Sequence, residues 1–239
     1  VSRKSALVIT AHPGDFVWRA GGAIALHARK GYRVKIVCLS YGERGESQFA
    51  WKSAGVQLSE VKAQRKDEAL RAAETLGAEI EFFDAGDYPL RIGEEILDRV
   101  VDIYRDVKPN FVLTHALQDP YNFDHPAAAR LAQEARIVAQ AAGHKPDPNR
   151  AYSAPPVFLF EPHQPEQCDF KPNVILNIDE VWDAKYAAFT VLAAQKHLWE
   201  YYTRVALNRG VQGGRNSGRP FTYGEAYVRL FPEAVEVLA

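Results

Sequence analysis

Ala6-Leu7-Val8-Ile9-Thr10-Ala11-His12-Pro13-Gly14-Asp15-Phe16 decides how the rest of the chain is read. Its first five residues form an apolar, β-rich run of the kind found in a strand buried on both faces, the habit of a parallel sheet. The run passes directly into a His-Pro-Gly-Asp turn and then into an amphipathic stretch over residues 17–30, which Gly31 ends. Strand, turn and helix in that order open a βαβ unit. In an open α/β sheet the loops leaving the strand C-termini face one crevice, so His12 and Asp15 become candidates for a site assembled from several such loops.

Working outward, the alternation repeats. Residues 34–39 predict a second strand, and the polar loop 41–57 behind it carries Glu43 and Glu46; its length marks it as functional rather than a mere connector. A helix starts at Ser59, with Val61, Ala69, Leu70, Ala73 and Leu76 at helical spacing, and Gly77 stops it. Residues 79–83 read as a third strand, 94–107 as a helix, and 110–114 as a fourth strand that delivers His115 and then Asp124-His125. A helix over 126–142 and a Pro-rich loop to 156 lead to a fifth strand, 157–160, which delivers Glu161 and His163. Residues 174–178 predict a later strand, 180–202 one long helix, 208–220 a Gly/Arg-rich loop and 225–230 a last extended segment. No repeat or linker-like break interrupts the pattern, so residues 1–239 read as one α/β domain with a mostly parallel sheet and helices on both faces.

Composition narrows the function classes. The 239 residues suffice for a sizeable core, and a formal net charge of −1 with interleaved signs shows no nucleic-acid footprint. No apolar run approaches the ~20 residues of a membrane span, and no basic-then-apolar segment opens the chain. Cys38 in a buried strand and Cys168 in a loop make no disulfide framework, so a cytoplasmic setting is expected. A homo-oligomer is compatible with the sequence, which does not fix the state.

His and carboxylate residues at strand ends point to a metal. A catalytic zinc site holds three such ligands and keeps a position open. His12 and Asp15 on one tight turn, with His125 at a predicted helix start, are the expected ligands of a Zn2+ ion, with Fe2+ or Co2+ as other divalent candidates. Asp124 and Asp119 are either carboxylates that orient a ligand imidazole or turn and N-cap residues, the latter being the expectation for Asp119.

His12-Pro13-Gly14-Asp15, Gly42-Glu43-Arg44-Gly45, Arg65 to Glu68 with Leu76-Gly77, and Asp124-His125 resemble, in that order, the motifs of the PIG-L/LmbE-like N-acetylglucosaminyl deacetylases. The resemblance spans residues 5–140 and, more loosely, Tyr223-Gly224-Glu225-Ala226-Tyr227. It implies a Rossmann-like fold and a zinc ion on His12, Asp15 and His125.

One departure changes the expected reaction. The family's usual motif is Ala-His-Pro-Asp-Asp-Glu, whose first Asp is the general base; here that position is Gly14, and Phe16 replaces the Glu. Amide hydrolysis needs a group that takes a proton from water and returns one to the amine, and Gly14 can do neither. Hydration of a conjugated C=C needs no leaving amine and suits the same metal-water unit. Loss of the Asp is expected to leave room beside the metal for an anionic substrate, with Glu46 as the replacement group for the water. Arginine forks suit carboxylates, so Arg44, Arg65, Arg215 and Arg219 are candidate substrate contacts, the last two on a loop that could close as a lid.

Gly14, Phe16, the Gly42-to-Ser47 loop, His163 and Arg215-Asn216-Ser217-Gly218-Arg219 together resemble the hydratase branch of that family. This implies hydration of a small tricarboxylate, 4-oxalomesaconate, in gallate and protocatechuate catabolism, with Glu46 activating water, His163 as acid and Asn216 among the substrate contacts. His163 also suits an acid on first principles, since imidazole titrates near neutrality. A zinc-dependent deacetylase with a relocated base and a non-catalytic metal- or sugar-binding relative are the alternatives.

Overall fold

The computed structural model describes residues 3–145 and 152–236. Its strands β1 (Ser5–Thr10), β2 (Arg33–Cys38), β3 (Glu79–Phe82), β4 (Phe111–Thr114), β5 (Val157–Phe160), β6 (Val174–Asn177) and β7 (Gly224–Arg229) form one seven-stranded sheet in the order β3-β2-β1-β4-β5-β7-β6. β1 to β5 pair in parallel, while β7 runs antiparallel to both β5 and β6. The helices are α1 (Asp15–Arg29), α2 (Leu58–Thr75), α3 (Glu94–Val107), α4 (Asp124–Val138), α5 (Trp182–Val191) and α6 (Trp199–Ser217).

β1 organises both layers because every one of its residues is buried. Ala6 and Val8 join a core with Phe16 and Ile24 of α1, Ala72 of α2 and Phe189 of α5. Leu7 and Ile9, pointing the other way, join Val100 and Tyr104 of α3 and Leu131 of α4. The chain leaves β1 toward β2 and β3 on one side and returns to β4 on the other, so the loops after β1 and β4 diverge and open a crevice between them. α2 is fixed at its start by a reciprocal capping box between Gln57 and Glu60. No helix among the described residues is long and apolar enough to cross a membrane.

The sequence expectations for β1 to β5 and for α3 hold within a residue or so, but three segments differ. Residues 180–202 are not one helix: after α5 the chain forms a 3-10 stretch, Ala193–Leu198, broken at Gln195 (φ −123°, ψ 28°) before α6 begins. That break turns Gln195, only 3% exposed, into the molecule. Nor are residues 208–220 a loop, since α6 continues to Ser217 and ends at Gly218 with φ +66°. Its glycines answer a packing demand: a Cβ on Gly210 would lie 2.0 Å from the Thr222 carbonyl oxygen and one on Gly213 2.4 Å from the Phe221 ring. Finally, α4 starts at Asp124 and ends at Val138, and the Pro-rich connection expected after it falls partly on residues 146–151, outside the described residues.

Candidate metal centre and active site

The turn after β1 places two ligand types back to back. Asp15 opens α1, and its Oδ2 accepts the His12 backbone N–H at 3.0 Å while lying 3.2 Å from His12 Nδ1. Its Oδ1 accepts from Arg19 Nε, one helical turn on, at 3.2 Å and sits 3.4 Å from Nε2 of His125. From the loop after β2, Glu46 Oε1 comes to 3.6 Å from His12 Nδ1. One ligand atom each from His12, Asp15, Glu46 and His125 therefore lies within 4.8 Å of the others. The structure brings together all three residues expected to hold the ion.

Whether they fit a cation is decided by the far sides of the imidazoles. Asp119 Oδ2 accepts from His125 Nδ1 at 2.8 Å, which leaves Nε2 as a bare acceptor. Nε2 is buried and has no hydrogen-bond partner among the described residues, although it faces the Asp15 carboxylate, another acceptor. Two lone pairs opposed in a dry site call for a positive charge between them. His12 repeats the pattern: Nε2 lies 3.1 Å from Asp87 Oδ1 and 3.4 Å from Asp124 Oδ2, carboxylates that hold its N–H there and leave Nδ1 facing the cluster. The donor set fits a divalent cation.

The electrostatics agree. Burial pushes the His12 imidazole down, yet Glu46, Asp124, Asp15 and Asp87 together hold it well above its ordinary value. Burial likewise works to raise Asp15, but His125 and His115 hold its carboxyl well below the usual range. His115 is pushed well down, first by burial and then by His125, on which its ring stacks at 4.2 Å; its Nε2 accepts the Ala11 N–H at 3.0 Å. The ring supports the ligand turn through that hydrogen bond.

Glu46 is pinned by two amides. Asn122 Nδ2 donates to Oε1 at 3.2 Å and Gln195 Nε2 donates to Oε2 at 2.8 Å. Gln195 also corrects the expectation of room at Gly14: a Cβ there would lie 2.3 Å from Gln195 Oε1 and 2.5 Å from Trp18 Nε1. The space is already filled by a carboxamide and an indole.

The remaining candidates divide sharply. His163 follows β5, stacks on Tyr201 at 4.2 Å, and places Nδ1 3.4 Å from the Tyr202 hydroxyl, whose ring stacks on Trp18 beside Gly14. Arg44 is exposed next to Glu46, and its backbone N–H donates to Asp87 at 2.5 Å. Arg65 is fully buried, with one fork arm on Glu68 (2.7 Å) and the other on Gln195 (2.9 Å), so it is committed to protein groups and does not present itself to a ligand. Arg215 and Asn216 lie on the last turn of α6 and Arg219 just beyond, all exposed. At 1.5 Å per residue, Arg215 is roughly 20 Å along the helix from Tyr202. The segment expected to be a loop lid is thus the exposed end of a helix.

Sequence reasoning missed Asp87, Arg19, Asn122 and Gln195. Arg19 alone left a local trace, four residues after Asp15 on the same helix face. Asp119 fills both of its readings, since Oδ1 accepts the Tyr121 N–H in a turn while Oδ2 accepts from His125.

A family model described as GlcNAc-PI de-N-acetylase, PIG-L, matches residues 7–136. The chain is 57% identical over 241 residues to a protein of Pseudomonas putida named 4-oxalmesaconate hydratase, covering 99% of this chain and 93% of that one. The crystal structure of GalB, the 4-carboxy-2-hydroxymuconate hydratase from Pseudomonas putida, superposes with a TM-score of 0.96 at 57% identity, covering 99% of this chain and 100% of that chain. N,N'-diacetylchitobiose deacetylase from Pyrococcus horikoshii superposes with a TM-score of 0.78 at 26% identity, covering 94% and 83%.

Proposed function

The chain belongs to the GlcNAc-PI de-N-acetylase, or PIG-L, family, and from that premise we propose that it is a metal-dependent hydro-lyase that hydrates 4-oxalomesaconate to 4-carboxy-4-hydroxy-2-oxoadipate in gallate and protocatechuate catabolism. One observation carries the reading: the carboxylate facing the ligand cluster is Glu46, while the residue before Asp15 is a glycine sealed by the Gln195 amide. A deacetylase that keeps its acid-base group at that turn would find none here, since an amide cannot move the proton. The near-full-length likeness to a protein named as a hydratase supports the same choice.

Zinc held by His12, Asp15 and His125 would lower the pKa of water and polarise a substrate oxygen. The chain's own groups divide the remaining work. Glu46, steadied by Asn122 and Gln195, takes a proton from the water that adds to one alkene carbon. His163 gives a proton to the neighbouring carbon, so water is added and nothing is expelled. Arg44, exposed two residues from Glu46, is the guanidinium placed to meet a substrate carboxylate, while Arg19 is buried and donates to Asp15 and to the Glu161 carbonyl. The test is direct: the purified chain bleaches the conjugated dienoate without liberating a fragment. Release of acetate from an N-acetylglucosamine derivative without bleaching overturns the reading.

Two variants sharpen it. Burial first, and Arg19 second, hold the His163 imidazole below its ordinary value of 6.5 against the pull of Glu46 and Asp119. An acid must be protonated, so kcat/KM is full below that lowered pKa and falls as pH rises through it, placing the alkaline limb on the acid side of 6.5. His163→Ala flattens the limb; an active variant that keeps it shows that another group is the acid. Gly14→Asp drives a side chain into Gln195 and Trp18, and overpacking of that kind costs about 1–3 kcal/mol. The expected result is a lower Tm and impaired hydration, whereas a stable Gly14→Asp protein that releases acetate vigorously would favour the deacetylase.

A further inference from the structure

Glu46 sits at the middle of a long loop, and nothing in its local backbone explains why its carboxylate should stay turned toward the ligand cluster. Asn122 holds one carboxylate oxygen at 3.2 Å, and the other is held by a buried polar chain that starts on α2. Glu68 takes one arm of the fully buried Arg65 at 2.7 Å and accepts the Ala194 backbone N–H at 3.2 Å, tying α2 to the residue before Gln195. The other arm of Arg65 donates to Gln195 Oε1 at 2.9 Å. A guanidinium can only donate, so this contact fixes which end of the carboxamide is oxygen and aims the amide N–H groups the opposite way. There Gln195 Nε2 meets Glu46 Oε2 at 2.8 Å. The carboxamide fits because Gly14 has no side chain; any Cβ there would lie 2.3 Å from its oxygen.

We propose that Gln195 is a positioning residue for the hydration reaction, the last link of an Arg65–Gln195–Glu46 relay that uses the space left free at Gly14 to hold the Glu46 carboxylate against the ligand cluster. The inference rests on the reading that Glu46 handles the water. It explains why an arginine with no access to substrate lies buried near the site. It also explains the break in the helix before α6: without it, Gln195 would not turn inward.

Two replacements test the relay. Gln195→Met keeps length and loses both hydrogen bonds; Gln195→Glu keeps the bond to Arg65 and replaces the donor by a second carboxylate, which repels Glu46. Losses on removing a group that orients a reacting one are about 10–100-fold in activity, and both variants should lose kcat on that scale with KM and stoichiometric metal content retained. Crystals of Gln195→Met, grown without substrate, should show the Glu46 carboxylate turned away from His12. A purely structural role would instead lower Tm and leave kcat per folded molecule unchanged. Should Gln195→Met fail to fold, Gln195→Glu retains the Arg65 anchor and carries the same kinetic test. Wild-type kcat with Glu46 unmoved overturns the relay. If the wild-type chain does not hydrate the dienoate at all, the proposed activity falls, and the Glu46 position in the Gln195→Met crystals still decides the relay.

Discussion

His125→Ala yields a folded protein that no longer retains a stoichiometric divalent ion and no longer bleaches the dienoate. His125 is the proposed ligand whose removal is easiest to read, because its Nε2 has no hydrogen-bond partner among the described residues. Asp119 holds the ring from behind, Asp15 waits 3.4 Å in front, and the side chain sits on the first turn of a helix anchored by its apolar face. What disappears is one of the three proposed donors, together with the hydrogen bond to Asp119, the stacking contact with His115 and a ring contact with His12. His12→Ala should behave alike in metal content and suffer more in stability, since its ring is flanked by Asp15, Asp87 and Asp124. Metal analysis after gel filtration, run beside thermal unfolding, separates loss of the ion from loss of the fold. Full metal content in both variants would remove His12 and His125 from the ligand set.

Glu46→Gln reduces kcat by about 10²–10⁴-fold, the contribution typical of a positioned acid or base, while the ion stays bound. The substitution keeps the shape but offers one acceptor oxygen where Asn122 and Gln195 donate to two, so one of these hydrogen bonds is lost while the other still ties the side chain in place. Metal content is the deciding measurement here too. Glu46 lies within the same 4.8 Å cluster as the three ligands. If its removal empties the site along with the activity, Glu46 is a fourth ligand and the base must be sought elsewhere.

These two residues also mark how far the sequence could be read. His12 and Asp15 announce themselves because a turn is local: three positions apart, after a strand, they can only converge. His125 is legible for the same reason, since strand order and the switch point bring the ends of β1 and β4 together. Asp87 could not be found this way, because it belongs to an irregular loop after β3, and its value lies in a 3.1 Å approach to His12 across the crevice. Gln195 was hidden more deeply. Residues 180–202 carry a helical pattern, and where it is interrupted Gln195 meets Glu46, Arg65 and Gly14, none of them neighbours in the chain. The glycines of α6 mislead in the opposite sense: their composition suggests a loop, whereas Gly210 and Gly213 are small so that Thr222 and Phe221 can lie close. In each failure a contact between distant segments overrode a local signal.

The crevice between β1 and β4 finally bears on how fold and chemistry divide. The residues proposed to hold its ion follow β1 and β4 directly or open the helices behind them, where a shift of backbone would disturb both cores. Glu46 hangs from the loop behind β2 and Gln195 from a broken helix outside the sheet, so their backbones belong to neither central strand even though their side chains meet the ligand turn. The two central strands set the fold, whereas the choice of chemistry rests on two segments outside them and a single glycine.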